Sequence, residues 1–142
     1  MNKGIERAFS KGKAFIGFIT SGDPDLETTE KIVYAMDRAG CDLIELGIPF
    51  SDPTAEGPVI QEANVRALSN GVTTDNVFEM VNRIRKNTDI PMVFMTYANV
   101  VYSYGIEKFC QKMVEGNMSG MILPDVPFEE KEEFDTVCKE YG

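Results

Sequence analysis

Three features of the chain predict a parallel α/β fold. First, four short apolar runs of strand length recur along the 142 residues, at 14–20, 43–46, 89–96 and 119–123. Second, each run is followed by a stretch with helical spacing of its apolar residues. Third, an unusual loop follows each run: Ser21-Gly22-Asp23-Pro24, then residues 47–58, then Tyr97-Ala98-Asn99, then Pro124-Asp125. Strand–helix alternation repeated four times implies a parallel sheet flanked by helices, with right-handed crossovers. In such folds the functional loops lie at the C-terminal strand ends. Two architectures fit: a doubly wound sheet, and the first four β/α units of a TIM-type (β/α)8 barrel. A whole barrel takes about 250 residues, so on the second reading residues 1–142 form the N-terminal half of one barrel domain, the second half being absent. No GxGxxG or GxxxxGK[ST] follows any run, which removes the usual support for a nucleotide-binding doubly wound sheet.

Residues 5–9 suggest a short lead-in helix, closed by a turn at Lys11-Gly12-Lys13. AFIGFIT, at 14–20, is continuously apolar, as a strand buried on both faces requires. Asp25 is the expected N-cap of a helix over 26–39, with Ile32, Val33, Met36 and Ala39 on one face and Gly40 as its C′ residue. The second strand, Leu43-Ile44-Glu45-Leu46, holds a carboxylate at its centre. A long loop leads to a helix over 59–68, stopped by Asn70-Gly71. Thr73 or Thr74 caps the next helix, whose stripe is Val77, Met80, Val81 and Ile84. The third strand centres on Met92-Val93-Phe94-Met95, and residues 97–104 read as a polar and aromatic connection. A helix through Phe109, Met113 and Val114 stops at Gly116-Asn117. The fourth strand follows, and an acidic helix over 128–141 turns Phe134, Val137 and Cys138 inward.

Hydrophobic residues make up 43% and charged residues 26% of the chain, enough apolar material for a core. The net charge of −9 repels phosphate backbones and argues against nucleic-acid binding. No apolar run is long enough to span a bilayer, and the N-terminal residues lack the apolar core of a signal peptide. A cytoplasmic protein is the expectation. The three cysteines, Cys41, Cys110 and Cys138, are odd in number and lack CxxC spacing. They suit reduced thiols acting as small buried hydrophobes. There is no histidine. That excludes Ser-His and Cys-His nucleophile systems, HExxH zinc sites and imidazole bases together. Acid–base chemistry has to rest on carboxylates, tyrosines or lysines.

Glu45 is the first candidate. Alternation sends it to the face opposite Ile44 and Leu46, and a charge in a buried strand is costly without a partner or a task. A carboxyl near the top of a barrel interior is placed for proton transfer, because low dielectric favours its protonated form. A salt-bridged or solvated strand-end glutamate is the alternative. Glu56 lies in the loop that follows and can fold back over the strand end, so that two carboxylates in different surroundings divide the work; an exposed loop glutamate is its alternative. Asp52 is a third acid, equally suited to an Asx-type turn. Phe18 and Tyr97 stand near strand ends, as pocket lining or as core.

The run Glu45-Leu46-Gly47-Ile48-Pro49-Phe50-Ser51-Asp52-Pro53, followed by Ala55-Glu56-Gly57-Pro58 and Ile60-Gln61, resembles the signature of the tryptophan synthase α subunit family. The similarity extends through Phe18-Ile19-Thr20 with Gly22-Asp23-Pro24, residues 95–99, Tyr104-Gly105 and Pro124-Asp125-Val126-Pro127. The resemblance implies a (β/α)8 barrel lyase of tryptophan biosynthesis that cleaves indole-3-glycerol phosphate to indole and glyceraldehyde 3-phosphate. It implies that Glu45 is the catalytic proton shuttle and that Glu56 engages the indole N–H. Phe18, Ile60, Met95 and Tyr97 match positions around the indole pocket. Pro49, Asp52, Asn99 and Asp125 match the side that docks a β subunit in an αββα assembly. The family's α reaction uses no metal or organic cofactor; pyridoxal phosphate belongs to β. Two departures stand out. Thr54 and Glu56 replace the family's usual apolar residue and aspartate, and the added methylene shifts a carboxylate by about 1 Å, a displacement that costs on the order of 100-fold in rate. The family's phosphate site is built from later loops, and a half barrel leaves open strand edges, so this chain alone is expected to be inactive. A non-catalytic module that binds a β subunit and another phosphate-sugar barrel enzyme are the alternatives.

Overall fold

The computed structural model describes residues 3–142. Its order is α1 (Lys3–Phe9), β1 (Ile16–Thr20), α2 (Leu26–Arg38), β2 (Leu43–Gly47), α3 (Pro58–Ser69), α4 (Thr74–Ile84), β3 (Met92–Met95), α5 (Ala98–Tyr104), α6 (Ile106–Glu115), β4 (Gly120–Ile122), a 3-10 turn (Phe128–Glu130) and α7 (Glu132–Tyr141). The strands form one parallel sheet in the order β1-β2-β3-β4. Spatial order thus follows chain order, with no reversal. A doubly wound sheet reverses its order and carries helices on both faces; a barrel adds strands one after another and keeps its helices outside. The observed sheet follows the second pattern.

Strand alternation explains why one face is dry. Ile44, Leu46, Met92 and Phe94 are fully buried against Val33 of α2, Val77, Met80, Val81 and Ile84 of α4, and Phe109 of α6. Phe78, Phe94 and Phe109 stack edge to face, with centroids 5.1–5.9 Å apart, an arrangement that adds to their area burial. Burying each such ring contributes roughly 1.5–3 kcal/mol. On the other face a small cluster of Ala8, Leu43 and Val93, with Ile5 of α1 against it, closes the N-terminal end of the sheet.

Local signals explain most element boundaries. Asp25 accepts from the Thr28 amide at 2.7 Å and starts α2. Thr73 and Asn76 form a reciprocal capping box at α4. Helix α2 ends at Gly40, whose φ of +89° suits glycine; the Cys41 amide reaches back to the Met36 carbonyl at 3.0 Å. Asn117 does the same after α6, at φ +48°. Arg85 is the main tie that local sequence does not reveal. Its largely buried guanidinium donates to the carbonyls of Gly116, Asn117 and Ile90, joining the end of α6 to the approach to β3.

Several local expectations are corrected. Residues 97–104, read as a connection, contain the helix α5. Its Val101 is fully buried, and its N-terminus is capped from a distance by Asp125, whose two carboxylate oxygens accept from the Ala98 amide at 3.0 and 3.2 Å. The acidic helix begins later than 128, because Pro127 leads into a 3-10 turn before α7 starts. Ala39 and Val114 point outward rather than into the core.

Candidate functional site

The C-terminal ends of the strands place two rows of side chains on the face away from the large core. In the lower row Phe18, Glu45, Val93 and Gly120 are register partners across the sheet. In the upper row Thr20, Gly47, Met95 and Ile122 are partners. Glu45 therefore lies between Phe18 and Val93, on the face opposite the buried Ile44 and Leu46. Its side chain is half-buried, and no hydrogen bond or ion pair engages its carboxylate among the described residues. Gly47 is required where it stands: a Cβ there would come within 2.8 Å of the Phe18 ring, which lies over the glycine. The Phe18 ring, Val93 and Met95 thus give the carboxylate an apolar surround, with the 39% exposed Ile122 further along the upper row.

The loop after β2 is anchored at both ends. Its first amide, Ile48, donates to the Met95 carbonyl at 3.0 Å. At the far end Tyr97 takes hold of two residues. Its phenol donates to the Glu56 carboxylate and accepts from the Ala55 amide at 2.9 Å. The Phe50 ring packs on Tyr97 with centroids 5.2 Å apart. Burial, and after it the hydrogen bond to Glu56, push the Tyr97 phenol up to about 12, so it remains a neutral donor throughout the physiological range. The Gln61 amide nitrogen, from the first turns of α3, donates to the Glu56 carbonyl at 2.9 Å. Glu56 is thereby held by side chain and backbone, whereas Glu45 is left free. The two carboxylates occupy unlike surroundings, as a division of proton work requires.

The other sequence candidates are spread along the rim. Ile60 is half-buried in the first turn of α3, and Pro49 is buried. Asp52 and Asn99 are exposed, and Asp52 accepts from the Ser51 hydroxyl at 2.6 Å. Asp125 is exposed and already employed as the α5 cap. Sequence reasoning missed the brace on the loop after β1. Asp23 takes a bidentate pair of hydrogen bonds from Arg66 of α3, both at 2.8 Å, and Asn70 donates to the Pro24 carbonyl. That guanidinium holds the Asp23 carboxyl below the usual carboxylate range. The spacing of 43 residues between partners leaves no local signal that would have found it.

Among the described residues no cluster of three or more His, Cys, Asp or Glu is placed to hold a metal ion. Among the same residues no helix is long and apolar enough to cross a membrane. What the site offers is a free carboxylate in an apolar setting, a second carboxylate fixed by a tyrosine, and open aromatic and thioether walls. Such a set can move a proton to and from a flat apolar substrate and stabilise a polar N–H at its edge.

Residues 6–142 match the family model described as tryptophan synthase alpha chain. The tryptophan synthase alpha chain of Alkaliphilus metalliredigens is 50% identical over 129 residues, covering 91% of this chain and 48% of its own. That of Petrotoga mobilis is 46% identical over 138 residues, covering 97% and 54%. Among solved structures, tryptophan synthase subunit alpha from Legionella pneumophila superposes with a TM-score of 0.92 at 40% identity, over 100% of this chain and 56% of that one. A chain of the tryptophan synthase a2b2 complex from Pyrococcus furiosus does so with a TM-score of 0.87 at 37% identity, over 91% and 52%. The chain spans about half the length of the curated relatives it matches.

Proposed function

The chain belongs to the tryptophan synthase alpha chain family, and on that premise we propose that its residues supply the acid–base half of an indole-3-glycerol phosphate lyase of tryptophan biosynthesis, acting in the cytoplasm. The observation that carries the reading is the pairing of a free Glu45 with a tyrosine-held Glu56 at adjacent strand ends. Glu45 delivers a proton to indole C3 and removes one from the glycerol hydroxyl next to the breaking bond. The carbon–carbon bond opens, its electron pair returns to the ring, and the hydroxyl carbon becomes the aldehyde of glyceraldehyde 3-phosphate. Glu56 accepts the indole N–H and stabilises the positive charge that the ring carries after protonation. Phe18, Met95, Ile60 and Tyr97 line the indole side. None of these steps calls on a metal or an organic cofactor.

Asp52, Asn99 and Asp125 form the surface that meets a tryptophan synthase β subunit, where pyridoxal phosphate belongs, and the buried Pro49 shapes the loop beneath it. This surface rests on the likeness to the Pyrococcus furiosus complex and on the exposure of Asp52, Asn99 and Asp125 at the strand ends.

The test joins residues 1–142 to the remaining half of the Alkaliphilus metalliredigens relative and measures indole release from indole-3-glycerol phosphate. Release is expected, with kcat falling by roughly 10²–10⁴-fold in the Glu45→Gln variant of the same chimera. Indole release untouched by that substitution overturns the assignment.

A further inference from the structure

Helices α6 and α7 bring two cysteines together that the proposed chemistry does not use. Cys110 of α6 and Cys138 of α7 lie 28 residues apart in sequence, and their sulfurs are 3.9 Å apart. Neither takes part in a disulfide, and Cys41 stands elsewhere, its thiol directed at the carbonyls of Phe15 and Leu43. The pair lines a cleft of about 670 Å³ beside β4, together with Met113, Met121, Phe128 and Phe134. Cys110 is buried within it and Cys138 is half-exposed. A small oxidant therefore has access to one thiol while the second waits in contact with it. A disulfide bond is about 2.05 Å long, so the sulfurs have to approach by roughly 1.9 Å.

We propose that Cys110 and Cys138 are a paired modification site, which a peroxide oxidises to a disulfide that ties α6 to α7. Cys138 is the attacking member. It is the more exposed of the two, and burial pushes the Cys110 thiol up to about 12. The Cys138 thiolate attacks one peroxide oxygen and the O–O bond breaks. Cys138 becomes a sulfenic acid, and the departing hydroxide leaves as water with the thiol proton. The Cys110 sulfur then attacks the sulfenic sulfur. The S–S bond forms, the S–O bond breaks, and the second hydroxide leaves as water with the Cys110 proton. Two thiols lose two electrons and two protons; one peroxide becomes two waters. Burial raises both thiols above the ordinary cysteine range, so the reaction is slower than that of a free exposed cysteine. The bond closes a loop that holds β4 and the rim residue Asp125.

The test exposes the folded chain to hydrogen peroxide, then counts thiols under denaturing conditions and maps unreduced peptides. The expected result is a fall from three free thiols to one, a Cys110–Cys138 linked peptide with Cys41 still free, and full recovery of thiols with dithiothreitol. The oxidised chain is expected to melt at a higher temperature. That rise should persist in Cys41→Ser and vanish in Cys138→Ser. Intermolecular cross-links, or a Cys138 sulfinic acid beside an unreacted Cys110, overturn the proposal. Both outcomes are read on the unsubstituted chain, so they do not depend on any variant folding. No outcome depends on lyase activity, so the pair and the proposed reaction stand or fall separately.

Discussion

The two faces of the sheet are built from alternate residues of the same strands, yet they are organised on opposite principles. On the helix side Ile44, Leu46, Met92 and Phe94 have no exposure, and their neighbours are apolar from several helices. On the other side Phe18, Glu45, Met95 and Ile122 stand half-open beside the buried Gly47, and the carboxylate has no partner among the described residues. One face gains stability from saturation. The other gives some up, and the lost stability coincides with the candidate site. Period-two alternation is what lets three to five residues per strand serve both ends.

The sharpest way to break the comparison is to hollow out the saturated face. Phe94→Ala removes a fully buried ring from the Phe78–Phe109 cluster, and the expected loss is about 3–5 kcal/mol in denaturant unfolding. A loss below about 1 kcal/mol would mean that this side is not the rigid one.

Next in size is the hinge between the faces, where Tyr97 holds Glu56 and Ala55. Tyr97→Phe keeps the ring and removes the hydroxyl; roughly 1.5 kcal/mol is expected, since one of the two hydrogen bonds is to a carboxylate. The variant also carries a pH signature. Tyr97 titrates near 10 when unfolded and at about 12 when folded, so above pH 10 the unfolded chain releases this proton first. Its stabilising contribution is intact below pH 10 and is lost as the pH rises toward 12. Unfolding curves in a pH series should show a shallower alkaline decline for Tyr97→Phe. A residual slope from Tyr104, also pushed up to about 12 by burial and Asp75, should remain.

The smallest effect has the opposite sign. Glu45→Leu replaces an unpaired, half-buried carboxylate with an apolar group of similar length. Stability should rise by about 0.5–1 kcal/mol while the proposed lyase function is lost. A fall in stability instead would assign Glu45 a structural partner and weaken its catalytic reading.

Much of this was legible in the residues because it depends on neighbours in the chain. The face of Glu45 follows from alternation over 43–46, and the ends of α2 and α6 follow from Gly40 and from Gly116-Asn117. What escaped was held across distance. Helix α5 was hidden because its polar, tyrosine-rich stretch carries a weak helical signal and its cap, Asp125, sits 27 residues downstream. The grip of Tyr97 on Glu56 spans 41 residues, and the Asp23–Arg66 brace spans 43. Local pattern names the carboxylates; only the folded sheet shows which of them is tied and which is free.

The cap that Asp125 places on α5 has a further consequence for how such chains can be recombined. The loop after β2 is fastened to Tyr97, the next residue opens α5, and α5 is fastened to the loop after β4. Three rim segments therefore form one inherited block rather than three interchangeable parts. A crossover between relatives that falls between residues 98 and 125 separates an acceptor from the amide it was matched to. One that falls beyond the block passes the whole rim on intact.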